Sequence, residues 1–139
     1  MKMRDIMILV EGRIPATLYH GTSTIAWKKT DETLLYLTVN REDAENYASE
    51  AAIQDVYAKY GDDFLDDEGK EKPAPSQPII ITFLMDDLLK LNGIEFQPDW
   101  GWDGAEDATW QQSLQAVGSF CVSGFQDAYK GLGKVAPAF

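Results

Sequence analysis

The chain of 139 residues is short of the groups from which many sites are built. Its single cysteine, Cys121, excludes an internal disulfide framework and any cysteine-rich zinc site. Its single histidine, His20, removes the common histidine-rich clusters, so no metal is expected. Basic residues are few, with 12 Lys and Arg against 23 Asp and Glu, for a formal net charge of −11. That balance argues against broad binding to duplex nucleic acid or an anionic membrane, because each phosphate contact normally needs a Lys or Arg. No apolar run approaches the ~20 residues that cross a bilayer. The first residues, Met1-Lys2-Met3-Arg4-Asp5-Ile6, hold an acid and no small-residue cleavage site, so they do not read as a secretory signal. With 45% hydrophobic and 12% aromatic residues, the chain is too apolar for a disordered acidic tail. A single cytoplasmic domain with one core is the expectation.

Periodicity predicts strands and helices interleaved. Ile6, Leu9 and Val10 mark an amphipathic helix over residues 3–12, stopped by Gly12. Pro15 opens a strand from Ala16 to His20, closed by Gly21, and Thr22 to Trp27 follows as a short helix or turn. Leu34 to Val39 is rich in β-formers. Asn40 is placed to cap a helix reaching about Tyr60, with Ala44, Tyr47, Ala48, Ala51, Ala52 and Val56 on one stripe. Gly61 to Gln77, acidic and then proline-rich, reads as a mobile surface loop. Its Asp62 to Glu68 run lacks the alternating spacing and central glycine of a calcium loop. Ile79 to Met85, apolar on both faces, reads as a central strand. Asp86 to Leu91 forms a helical turn or two, and Glu95 to Ala108 a second acidic loop. Thr109 caps a helix that Gly118 breaks, Ser119 to Ser123 is a further strand, and the tail beyond Gly124 holds one more. This is an α+β pattern in one unit.

Chemistry concentrates at one place. Tyr19-His20-Gly21-Thr22-Ser23 sets a dual donor and acceptor, a glycine that admits close backbone approach, and two hydroxyls at a strand end. The cluster suits a small polar ligand lying against backbone. It does not suit acyl transfer, because no G-x-S-x-G motif accompanies it. No P-loop or G-x-G-x-x-G is present.

Three linked motifs, Leu18-Tyr19-His20-Gly21-Thr22-Ser23, Leu35-Tyr36-Leu37-Thr38 and Asp43-Ala44-Glu45-Asn46-Tyr47-Ala48, resemble the ADP-ribosyltransferase superfamily. The resemblance is to its diphtheria-toxin and poly-ADP-ribose-polymerase branch, with a His-Tyr-Glu signature, and it covers most of the chain after the first helix. It implies a split antiparallel β core with flanking helices and NAD as the substrate. His20 would bond the hydroxyls of the adenosine-side or nicotinamide ribose, and Gly21 would pair its backbone with the nicotinamide carboxamide. Thr22 or Ser23 would add a ribose contact, beside Thr38. Tyr36 would stack on the nicotinamide ring and Tyr47 would close its other face. Substitution at the ribose C1′ then proceeds through an oxocarbenium-like transition state with nicotinamide leaving.

The chain departs from the family at the third signature position. No glutamate follows the Ser119 to Ser123 strand, and Gln126 or Asp127 stands in the expected region. Gln bonds a hydroxyl but is no base near neutral pH, whereas Asp does both. Glu95-Phe96-Gln97 is similar to a transferase turn motif but comes too early in the chain. Mono-ADP-ribosylation is therefore expected ahead of polymer formation, by a free-standing phage or bacterial effector acting in a cytoplasm. The acceptor is expected to be a protein ahead of a nucleic acid. Two alternatives stand beside this reading: a non-catalytic NAD or ADP-ribose binder, and an NAD-dependent RNA 2′-phosphotransferase relative. The latter resembles a more basic site, and this chain has only Arg4, Arg13 and Arg41 as arginines.

Overall fold

In the computed structural model, residues 15–29, 34–124 and 130–139 are described. The expected helix over residues 3–12, and Gln126 and Asp127, lie outside them. The strands are β1 (Thr17–Ser23), β2 (Leu34–Thr38), β3 (Pro78–Leu84), β4 (Ile94–Pro98), β5 (Ser119–Gly124) and β6 (Lys134–Pro137). The helices are α1 (Thr24–Lys29), α2 (Arg41–Tyr60), α3 (Met85–Leu89) and α4 (Trp110–Val117), with a 3₁₀ turn at Ala105–Asp107. All six strands join one antiparallel sheet in the order β4-β5-β2-β1-β3-β6. The architecture is α+β. Among the described residues no helix is long and apolar enough to cross a membrane.

Local chemistry sets the helix ends. Asn40 Oδ1 accepts from the Glu42 and Asp43 N–H groups at the start of α2, satisfying donors that have no partner within the helix. Thr109 and Gln112 form a reciprocal capping box on α4. Gly118 then ends α4 in the left-handed conformation at φ 74°.

The sheet buries both faces. Ile79, Ile81 and Phe83 of β3 join Leu18, Leu35, Leu37, Phe120 and Val122 in the main cluster. Ile80 points the other way, into a smaller cluster with Ala44 and Ala48 of α2, as strand alternation requires. The apolar run at residues 79–85 does mark a strand covered on both sides. Its place is beside β6, however, and the middle of the sheet belongs to β1 and β2.

Three expectations change. β1 does not close at Gly21 but runs through it to Ser23, and α1 begins only at Thr24. The stretch from Glu95 is not all loop, because Ile94-Glu95-Phe96-Gln97-Pro98 is an edge strand on β5. On α2 only Ala44 and Ala48 are buried, and Tyr47 is 44% exposed. The 61–77 segment holds an isolated bridge, Leu65↔Glu71, and is tied down by Tyr60 Oη donating to the Pro73 carbonyl at 2.8 Å.

A polar node pins α2 to the end of β1. Asp55 Oδ2 accepts from both Ser23 and Ser76, each at 2.5 Å. Ser23 is fully buried and also accepts from the Ala26 N–H. These partners satisfy a hydroxyl that would otherwise be costly to bury.

Candidate functional site

β1 and β2 are neighbours that barely pair. β1 matches β3 over seven residue pairs and β2 matches β5 over five, but β1 meets β2 only at Tyr19↔Thr38. Continuing that register would set Gly21 opposite Tyr36. Instead the His20 imidazole Nδ1 lies 2.8 Å from the Tyr36 carbonyl oxygen. The sheet is thus two three-stranded halves joined at a narrow seam. From His20 to Ser23, β1 has a ladder partner on its β3 side alone.

The hydrogen bond settles the tautomer. A carbonyl only accepts, so Nδ1 carries the proton and donates. In the neutral ring Nε2 is then an acceptor. Burial lowers the His20 pKa below 6.5, prevailing over the opposite pull of the Tyr36 carbonyl, so the ring is neutral near pH 7. The unfolded ring takes a proton near 6.5 and the folded ring only at lower pH. This group's stabilisation is therefore complete above 6.5 and is lost as pH falls below it, toward the folded value. Denaturant unfolding between about pH 7 and pH 5.5 will show wild type losing more stability than His20→Asn. Equal losses would mean that the ring titrates freely in the fold.

Strand alternation divides the seam residues between the faces. Tyr19, Gly21 and Ser23 face α2, where Gly21 meets Ala44, Ser23 meets Asp55 and Tyr19 joins the alanine cluster. His20 takes the face of Leu18, and its ring lies 5.7 Å from that of Trp27. Trp27 packs against the main core, with the Lys130 ammonium 4.9 Å from its ring centre.

Tyr36 lies on the α2 side, against Tyr47. Thr38 Oγ1 accepts from the Asn40 N–H at 3.1 Å, which turns the chain straight from β2 into α2. That tight turn brings Tyr47 back over Tyr36. The two rings meet edge to face, with centroids 5.0 Å apart and planes at 67°. A flat ring stacked between them needs about 7 Å, two contact distances. Admitting one requires the exposed Tyr47 ring to turn aside.

The structure therefore brings Tyr36 and Tyr47 together and joins His20 to them through the Tyr36 backbone. It does not gather the neighbouring hydroxyls. Ser23 is engaged with Asp55 and Ala26, Thr38 with Asn40, and Thr22 is buried. Two residues that the sequence reading did not assign to the site are near Tyr36, namely Ser119 at the start of β5, paired with Thr38, and Asp99 just beyond β4. Burial pushes the Tyr36 pKa well up, a pull that Ser119 opposes and that Tyr47 and the Asp99 charge reinforce. Neither residue belongs to a recognisable motif. Their one signal is position, each beside the end of a short strand.

Among the described residues no group of three or more His, Cys, Asp or Glu is arranged to hold a metal ion. Comparison with protein-family models, curated proteins and solved structures finds no match to this chain.

Proposed function

We propose that the chain is an NAD-dependent mono-ADP-ribosyltransferase working at the β1–β2 seam. The observation that carries this reading is the His20 to Tyr36 hydrogen bond across the seam. It directs Nδ1–H to backbone and leaves Nε2 to accept from a ribose hydroxyl. Beside it, Gly21 offers backbone on a side of β1 with no ladder partner, where a carboxamide can pair. Tyr36 and Tyr47 supply the two walls for a departing nicotinamide. The acceptor atom bonds C1′ as the C1′–N bond breaks, and nicotinamide leaves neutral. A seam that fixes the ribose while holding the leaving ring stabilises this transition state by preorganisation. With a net charge of −11, a protein acceptor is favoured over a nucleic acid.

The direct experiment follows free nicotinamide and transferred label together, using NAD labelled on the adenylate, with and without bacterial lysate. Label on a macromolecule identifies the acceptor class. Nicotinamide without label means hydrolysis, and calorimetric binding without nicotinamide means a non-catalytic binder. No binding of NAD ends this reading.

Tyr47→Ala tests the moving wall. Losing one stacking face should weaken NAD binding about tenfold, measured by calorimetry. The melting temperature should stay within a few degrees, because the ring is 44% exposed. Unaltered affinity would take Tyr47 out of the site.

A further inference from the structure

Away from the seam, α2 and the segment that follows it enclose a second concavity. Ala44 and Ala48 of α2 turn inward. Further along the helix Ile53, Val56 and Tyr57, at i, i+3, i+4 spacing, share another face. Ile53 is 51% exposed and Tyr57 50%. Phe64 meets Tyr57 edge to face with ring centroids 6.3 Å apart. With Ala74 these side chains line a groove of about 300 Å³.

The far wall is braced. Leu65 bridges Glu71, the Lys72 N–H donates to the Phe64 carbonyl at 2.8 Å, and the Asp66 N–H donates to the Lys70 carbonyl at 2.7 Å. Asp66 Oδ1 accepts from the Glu68 and Lys70 N–H groups, each at 2.9 Å, which closes the turn. A fixed frame that holds apolar surface open to water marks an interaction site. Its volume, at the lower end for ligand pockets, suits one large side chain rather than a whole helix face.

Charge selects the occupant. Residues 59–74 hold six acids against three lysines. Lys72 pairs with Asp63 at 3.1 Å, Lys70 with Glu68 at 4.0 Å, and the Lys59 ammonium lies 5.2 Å from the Tyr60 ring centre. Among the described residues Asp62, Asp66, Asp67 and Glu71 join no ion pair. A nucleic acid or an anionic membrane is repelled by such a rim, and a second copy brings the same acids to face their equals. We infer that the groove docks a basic segment of another protein, which seats a single apolar side chain set among lysines or arginines. This surface goes beyond the transferase reading and stands without it.

The test uses the full chain and a twelve-residue peptide of Lys and Ala around one central Phe, titrated by calorimetry. Binding is expected with a Kd of about 100 μM, weakening as salt is raised. Replacing the peptide's Phe by Ala, or its Lys by Glu, should cost at least about tenfold. Ile53→Ser should weaken binding about tenfold and, at a half-exposed position, still fold. The triple variant Asp62→Asn, Asp67→Asn, Glu71→Gln should weaken it by a similar factor and flatten the salt dependence. No binding at about 1 mM peptide overturns the proposal. Equal affinity in Ile53→Ser overturns the groove as the site, and equal affinity in the triple variant overturns the choice of a basic partner. Two findings on the free chain would also overturn it by naming another occupant. One is dimerisation abolished by Ile53→Ser, and the other is nuclear Overhauser contact between the Ile53 methyls and residues 3–12.

Discussion

Gly21→Ala should lower folding stability by about 4 kcal/mol or more, or prevent folding altogether. A Cβ built at Gly21 would stand 1.7 Å from the Ala44 carbonyl oxygen and 2.6 Å from its carbonyl carbon. Those are backbone atoms of α2, at a residue that is fully buried, so no side chain can rotate away to make room. The helix would have to lift off β1, opening the cluster of Ala44, Ala48, Ile80 and Ala138. Gly131→Ala is the matched control, because nothing lies within 4 Å of a Cβ there. Its urea midpoint should stay near that of wild type. Should Gly21→Ala unfold at the wild-type midpoint, the packing account of this glycine is wrong. The clash accounts for Gly21 through helix contact alone, so a loss of activity in this variant says nothing about NAD.

His20→Ala is the larger functional change. It should reduce nicotinamide release about 1000-fold, because it removes the Nε2 acceptor together with the brace on the Tyr36 carbonyl. His20→Asn separates the two effects. Its amide keeps a donor for the carbonyl but lacks the distal ring nitrogen. It should fold like wild type at pH 7 and remain inactive. Full turnover in either variant, measured as free nicotinamide, would remove His20 from the chemistry.

What could be read in advance follows the range of the forces. Asn40, Thr109 and Gly118 were legible because capping chemistry acts within one turn of the chain. β3, Pro78–Leu84, was legible to within a residue because the apolar run at residues 79–85 needs cover on both sides. β4 was hidden, since Ile94, Phe96 and Pro98 alternate for only five residues inside an acidic stretch. Nothing local announces that β2 pairs with β5 across α2, β3 and β4, or that its pairing with β1 ends after one residue pair. The site divides the same way. His20, Tyr36 and Tyr47 stood out by type and spacing. Thr38 and Ser23 also stood out, but their hydroxyls are engaged inside the fold. Asp99 and Ser119 are ordinary polar residues until strand order brings them to Tyr36.

The chain's route through the sheet has a mechanical consequence. β1, β3 and β6 form one half and β2, β4 and β5 the other, so four of the five strand-to-strand connections cross the seam. No single cut in the backbone releases an intact half-sheet, and neither half can be finished during synthesis before the other is well begun. The boundary between them is weak in hydrogen bonds but sewn by covalent crossings. The backbone that crosses between the two halves therefore limits how far they could part, as the hinge of a clasp limits its leaves.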